Sequence, residues 1–206
     1  MWDFPNIVAV GSGVVLIAGI VGYRLGTARR ARVENRGEGA VRRRLSFTFD
    51  SADYHLFNDV TLPYRDGTTQ IDHVLVARTG IFVIETKHYS GWLFGDEKGK
   101  KWTQVIFKVK NQFQNPLHQN AKHVRAIREL LDFLPPQDIH SVVVFTGDAV
   151  FKTPTPSGVF SLTEVIDHIR SFEDQVMSEN RMQFCVGRLE TKRRAISYRT
   201  DVEHNA

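Results

Sequence analysis

Two neighbouring predicted strands carry acidic and basic side chains that could bind a metal ion. Asp72 interrupts an apolar run, and Glu85 and Lys87 lie at the end of the next run, which begins at Gly80. Successive side chains in a strand alternate between its two faces, so Glu85 and Lys87 share a face and Thr86 points away. Hard divalent cations take oxygen ligands. The carboxylates of Asp72 and Glu85 and the carbonyl of Thr86 could therefore form a metal site.

Such a site could hydrolyse a phosphodiester bond. A bound metal ion polarises the phosphoryl oxygen and acidifies a water molecule, and Lys87 would contact that water or the phosphate. The alternative is that both acids are solvated at strand ends and that Glu85 and Lys87 form an ordinary same-face pair. An Asp followed by Glu-x-Lys is too short a pattern to decide between these two interpretations.

The elements around these strands predict an α/β domain with helices flanking a small mixed sheet. The predicted order is a helix at about 31–44, strands at 54–62, 69–78 and 81–87, a hairpin at 91–94 and 101–107, a helix from Asn115-Pro116, a strand at 139–145 and a helix at 161–172. Asn as N-cap followed by Pro is a typical helix start. Pro63 is expected to end the first strand, and residues 173–206 to form a further helix or a helix with a tail.

Two polar residues on the predicted helices could reach the same site. Glu38 lies between Gly37 and Gly39, where a glutamate chosen only for helix propensity is unexpected. Gln119 falls at the edge of an apolar helical stripe and could reach the lip of a site on the sheet. His123 shares that edge, and we interpret it as a polar boundary residue.

A basic and aromatic segment follows the second acidic strand. Basic side chains can hold phosphates, and exposed aromatic rings can stack on bases. The alternative is a hairpin whose aromatic rings pack inward, as we expect for Trp102. The candidate nucleic-acid-binding residues are Lys98, Lys100, Lys101 and Lys108.

About residues 34–145 resemble the nuclease-related domain family, which belongs to the PD-(D/E)xK nuclease superfamily. The matching stretches, in order, are Gly37-Glu38, Asn58-Asp59-Val60, Thr69 to Val74, Gly80 to Lys87, Gly91, Trp102 and Asn115-Pro116-Leu117-x-Gln119-Asn120. Ile71 stands where the superfamily name has proline, but that proline is dispensable within the superfamily.

The resemblance implies a restriction-endonuclease-like core with a Mg²⁺ or Mn²⁺ cofactor. It implies metal ligation by Asp72 and Glu85, a catalytic Lys87, and auxiliary roles for Glu38 and Gln119. His73 matches the family's Ile-Asp-His, but it alternates away from Asp72, and we interpret it as a core histidine.

The first residues predict a membrane anchor. Residues 4–23 carry no charge, which at ~1.5 Å per residue is enough to span a bilayer. Asp3 precedes them and four arginines follow, at positions 24, 29, 30 and 32. The positive-inside rule then places the remaining chain in the cytoplasm. A cleaved signal peptide would have the opposite charge order. Gly22 and Gly26 match a helix-pairing motif that leaves a homodimer open.

Composition adds only weak limits on function. The chain has 206 residues, a formal net charge of +4 and one cysteine, Cys185. The charge permits nucleic acid or anionic lipid as a partner, and one cysteine excludes a disulfide within the chain. The expected domains are an anchor at 1–26, a basic linker at 27–36, a nuclease-like domain at 37–160 and a basic helical extension at 161–206.

The sequence thus predicts a nuclease anchored in the cell membrane that acts on DNA in the cytoplasm. The alternative is a membrane-tethered nucleic-acid-binding or scaffolding domain that has the nuclease fold but no turnover.

Overall fold

In the computed structural model, which describes residues 36–193, nine strands form two sheets flanked by four helices. The strands are β1 Tyr54–Tyr64, β2 Gly67–Ala77, β3 Gly80–His88, β4 Trp92–Phe94, β5 Lys101–Ile106, β6 Val109–Gln114, β7 Ile139–Thr146, β8 Val150–Phe151 and β9 Val159–Ser161. The helices are α1, described over residues 36–48, α2 Pro116–Leu130, α3 Glu164–Arg170 and α4 Glu179–Lys192, with a 3-10 turn at Pro136–Asp138. The predicted α/β class is confirmed.

The larger sheet has the strand order β1-β2-β3-β7-β9. β1, β2 and β3 are antiparallel, whereas β3 pairs with β7 and β7 with β9 in parallel. The chain between β3 and β7 contains α2, as a parallel crossover requires. The sheet is therefore mixed, as expected, and β3 lies at its centre with strands on both sides.

Helices cover both faces of this sheet, because the apolar side chains of β2 and β3 point alternately to each face. Val74 and Val83 pack with Ile127 of α2 and with α4 on one face. On the other face, Phe82 packs with α1 and α3. Both helices that follow residue 161, α3 and α4, therefore contribute buried side chains to the two cores, one on each face of the sheet. The predicted domain boundary at residue 160 stays a prediction.

The second sheet was not predicted. It has the strand order β6-β5-β4-β8, whereas the sequence predicted only a two-stranded hairpin. Trp102 is fully buried at its base, where its ring stacks on Phe145 at 5.9 Å and its indole N–H donates to the carbonyl of Asp96 at 2.8 Å. The expectation that Trp102 packs inward is confirmed.

Several element ends differ from the prediction, among them those of β1 and α1. Pro63 does not end β1 but pairs with Thr68 inside it. β1 is an edge strand, where a missing N–H is tolerated. The helix α1 continues to residue 48, beyond the predicted end at about 44.

The predicted anchor at residues 4–23 lies outside the described residues, as do the linker before residue 36 and the tail after residue 193. Within residues 36–193, no helix is long and apolar enough to cross a membrane.

Candidate active site

The two acidic strands separate at the candidate site. The ladder between β2 and β3 ends at the pair His73 and Ile84, so Asp72 and Glu85 lie one residue beyond it. Asp72 is two residues from Val74, and Glu85 is two residues from Val83, which are paired on the α2 face. Because side chains alternate, both carboxylates point to that same face of the sheet.

The separation frees backbone groups of β3 to face Asp72. The N–H of Thr86 donates to Asp72 Oδ2 at 2.6 Å instead of continuing the ladder. The N–H and the C=O of one residue in a strand point toward the same neighbour. The Thr86 carbonyl therefore faces the same gap, where the sequence prediction needed an oxygen.

Glu85 is held between two basic groups. Its side chain is 2% exposed, and its Oε1 lies 2.6 Å from Lys87 Nζ while its Oε2 lies 3.1 Å from His123 Nε2. Burial raises the pKa of Glu85, but the hydrogen bond from His123 and the charge of Lys87 together hold it below its usual value. Burial lowers the pKa of Lys87, but Glu85 outweighs this and raises it. The carboxylate is therefore charged and Lys87 is its counter-ion.

His123 was interpreted as a boundary residue, and that interpretation is wrong. The side chain is buried, with Nε2 on Glu85 and Nδ1 2.8 Å from Thr69 Oγ1. A carboxylate only accepts hydrogen bonds, so Nε2 carries a proton and donates it to Glu85. His123 thus links β2 and α2 to the acidic strand. The spacing of four from Gln119, which puts both on one helix face, was the signal in the sequence.

Asp72 lies in an unfavourable electrostatic environment. Burial, the charge of Glu85 and the charge of Glu38 raise the pKa of Asp72 well above its usual value, against the N–H of Thr86 and the charge of Lys87. Glu85 and Glu38, carried by two other elements, thus both act on Asp72. Such a group of carboxylates favours a bound cation.

A glycine allows Glu38 to approach the strands. A Cβ atom on Gly37 would lie 2.7 Å from Thr146 Oγ1 and 2.8 Å from His88 Cβ. Only glycine therefore lets this end of α1 lie so close to the ends of β3 and β7. The unusual glycine beside Glu38 in the sequence has a packing reason.

Gln119 lies on α2, one turn before His123, and is half-buried. Asn120 next to it fixes the helix on the sheet, since its Nδ2 donates to the carbonyls of Val83 at 2.9 Å and Val142 at 3.1 Å. Because Gln119 precedes His123 by four residues, both lie on the same side of α2. Within residues 36–193 the side-chain amide of Gln119 makes no hydrogen bond.

His73 lies on the opposite face from Asp72, as predicted. It is 2% exposed, and its Nδ1 is 2.7 Å from Asn58 Oδ1. Burial and then the charge of Arg42 lower the pKa of His73 to about 4. It is a neutral core residue rather than part of the acidic group.

The structure does not contain a preformed metal cage. Within residues 36–193, no three His, Cys, Asp or Glu side chains are arranged to hold a metal ion. Both Glu85 oxygens are occupied by Lys87 and His123. The donor types nevertheless fit a hard divalent cation, because they are carboxylate and carbonyl oxygens and the carboxylates repel one another.

The candidate nucleic-acid-binding lysines belong to the second sheet rather than to the acidic gap. All four are exposed, with Lys98 and Lys100 between β4 and β5, Lys101 at the start of β5 and Lys108 in the β5–β6 turn. They are free to contact a ligand outside the protein.

Comparison with known proteins agrees with this arrangement. A sequence profile of the nuclease-related domain matches residues 34–146, which is more than half of the chain. An uncharacterized protein of Bacillus anthracis is 50% identical over 97 residues, which cover 47% of this chain and 45% of that protein. The chain thus spans less than half the length of this relative.

Proposed function

Because the chain belongs to the nuclease-related domain family, we propose that it hydrolyses phosphodiester bonds of DNA with Mg²⁺ or Mn²⁺ as cofactor. The observation that carries this proposal is the gap between β2 and β3, where Asp72 and Glu85 share one face and Lys87 adjoins them. Structural needs alone do not account for the buried Asp72, whose charge both Glu85 and Glu38 repel. A divalent cation held there for phosphodiester cleavage would compensate this repulsion.

Asp72, Glu85 and the carbonyl of Thr86 would hold the cation. When bound, such an ion stabilises charge on the phosphoryl oxygen and lowers the pKa of a water molecule. Binding would draw a Glu85 oxygen away from Lys87 Nζ or His123 Nε2. His123 would keep Glu85 oriented through its second contact, to Thr69.

Lys87 would act on the substrate. Its side chain is 20% exposed, whereas Glu85 beside it is 2% exposed, so Lys87 is the member of the pair that reaches solvent. Released from Glu85, it would donate hydrogen bonds to the attacking water or to a phosphate oxygen. Glu38 and Gln119 would have auxiliary roles, Glu38 by adding negative charge beside Asp72 and Gln119 by donating its amide to the substrate.

The uncharged segment at residues 4–23 supports a location at the cell membrane, with the nuclease domain in the cytoplasm. Substrates would then be nucleic acids close to the bilayer. The glycines at 22 and 26 support a homodimer formed through this segment.

The test is a cleavage assay on the full-length chain in detergent. Plasmid, linear and single-stranded DNA and RNA are incubated with Mg²⁺, Mn²⁺ or EDTA. We expect metal-dependent cleavage of DNA that is lost in Asp72→Ala and Lys87→Ala. The exposed residues Asp132 and Lys192 supply matched control variants, Asp132→Ala and Lys192→Ala, which should retain activity. Cleavage that persists in both site variants would exclude this site.

A second candidate function is nucleic-acid binding without turnover. It is favoured by the pairing of both Glu85 oxygens with basic side chains, with which a metal ion would have to compete. Salt-sensitive binding of DNA by the wild-type chain, with no cleavage under any metal condition, would support this candidate against the first.

A further inference from the structure

The turn between β5 and β6 carries an aromatic residue that folding does not explain. Ile106 pairs with Val109, so Phe107 and Lys108 form a two-residue turn. Phe107 is 98% exposed and has a φ of +53°. A bulky side chain in this conformation is strained, and glycine is the usual residue there. An exposed ring also gains nothing from burial. Both costs point to a role outside the fold.

The surroundings of the turn are basic. Residues 98–114, which form β5, β6, their turn and the loop before β5, contain no Asp or Glu but five lysines, at positions 98, 100, 101, 108 and 110. The field around the β5–β6 ribbon therefore attracts a polyanion.

The two faces of the ribbon differ. One face packs inward through the cross-strand pair Trp102 and Phe113. On the other face, Lys101 pairs with Gln114 and Val105 with Lys110. Of these, the lysines and Gln114 are exposed, and Gln112 between them is exposed as well. Amide and ammonium groups of this kind suit phosphates and base edges.

The base of the ribbon is fixed to the candidate active site. Asn115 follows β6 and caps α2 through a 2.9 Å bond from the N–H of Leu117, while its Nδ2 donates to the carbonyls of Asp96 at 3.1 Å and Gly99 at 2.7 Å. Phe113 stacks at 4.4 Å on Tyr89, two residues after Lys87. At ~3.4 Å per residue, the turn then projects roughly 15–20 Å beyond Phe113.

We propose that the β5–β6 ribbon is a nucleic-acid-binding arm, in which Phe107 stacks on an unpaired base of DNA while Lys108 and Lys110 contact the flanking phosphates. The inference rests on the proposed function, since the arm would bind the DNA that the candidate active site cleaves. An aromatic ring stacks on any base regardless of sequence, and the energy of unstacking is lowest where the base is already unpaired. The arm therefore favours single-stranded or locally opened DNA over an intact duplex.

The test measures binding without cleavage, using the full-length chain in detergent with EDTA. Fluorescence anisotropy gives the affinity for a single strand, for an intact duplex and for a duplex with one unpaired base. 2-Aminopurine in the unpaired position reports stacking. For Phe107→Gly we expect roughly 5- to 150-fold weaker binding of the single strand and loss of the 2-aminopurine response. Phe107→Tyr should restore both.

Two controls separate binding from folding. Glycine relieves the strain of a positive φ, so Phe107→Gly should melt no earlier than the wild-type chain. Phe47 is 85% exposed on α1, and Phe47→Ala removes a comparable ring elsewhere without affecting binding.

Unchanged binding by Phe107→Gly would overturn the inference, even if the chain cleaves DNA as proposed. Loss of binding to anionic phospholipid vesicles, with DNA binding intact, would also overturn it and assign the turn to a membrane surface. Phe107-dependent binding by a chain that cleaves nothing would support the arm and refute the nuclease.

Discussion

Substituting Asp72 by asparagine should stabilise the protein when no metal is bound. Asn keeps an oxygen that can accept the N–H of Thr86, now 2.6 Å from Asp72 Oδ2, and removes only the charge. Burial and the charges of Glu85 and Glu38 raise the pKa of Asp72, and they outweigh the N–H of Thr86 and Lys87. The ionised carboxylate therefore costs stability in the folded state at neutral pH.

We expect the free energy of unfolding to rise by about 1 kcal/mol, within the roughly 0.5–2 kcal/mol that relief of unfavourable charge gives. For a chain of this length that corresponds to about 2–4 °C in Tm. The assay is thermal and urea unfolding of the full-length chain in EDTA at pH 7. Asp132→Asn, which removes an exposed carboxylate away from the site, is the matched control and should change stability little.

Metal should reverse the order of stability. At a Mn²⁺ concentration about ten times the dissociation constant, the wild-type chain gains about 1.4 kcal/mol. Asp72→Asn lacks one of the ligands and should gain much less. If Asp72→Asn is less stable than the wild type in EDTA, the reasoning is refuted. The charges around Asp72 would then stabilise its carboxylate on balance.

Three further predictions concern buried groups near and beneath the site. His123→Ala removes a hydrogen-bond donor from the buried Glu85 carboxylate, so urea unfolding should show a free energy of unfolding lower by about 2 kcal/mol. His118→Ala, on the exposed side of α2, is the control and should change this free energy little. Asn115→Ala loses the cap of α2 and the bonds to three loop carbonyls, and should cost about 2 kcal/mol or more; an unchanged urea midpoint would contradict this. Burial raises the pKa of the Cys185 thiol to about 11, and only the thiolate reacts with a disulfide reagent. At pH 8 the folded chain should therefore not be labelled, and the unfolded chain should be labelled at one thiol.

Local patterns predicted the parts of the fold that depend on short-range physics. The start of α2 was visible because Asn115 and Pro116 are neighbours in the sequence, and the cap bond to Leu117 is present. A helix was also predicted from residue 161, and there Ser161 and Glu164 form reciprocal bonds just before α3. The central strands were visible as apolar runs, and alternation alone placed Glu85 and Lys87 on one face, where they are paired.

The second sheet was not predictable in the same way. β6 reads Val-Lys-Asn-Gln-Phe-Gln and exposes nearly all its side chains, so it lacks the apolar alternation that marks a strand. It is held by its pairing with β5 and by contacts of Phe113 with Trp102 and Tyr89.

The contacts of His123 were hidden from the sequence, although its side of α2 was not. Its partners, Glu85 and Thr69, are 38 and 54 residues away along the chain. A helical wheel shows which side of α2 it occupies, but not that β2 and β3 present a carboxylate and a hydroxyl there.

The order in which the site's contacts form has a consequence for folding kinetics. β2 and β3 are joined by a two-residue turn, so this hairpin can form within about 1–10 μs and bring Asp72 and Glu85 together early. His123 reaches Glu85 only after α2 docks from 38 residues further along the chain, a slower kind of contact. During that interval Lys87, on the same strand, is the cation already beside Glu85. We therefore expect Lys87 to neutralise Glu85 in this hairpin before His123 reaches it.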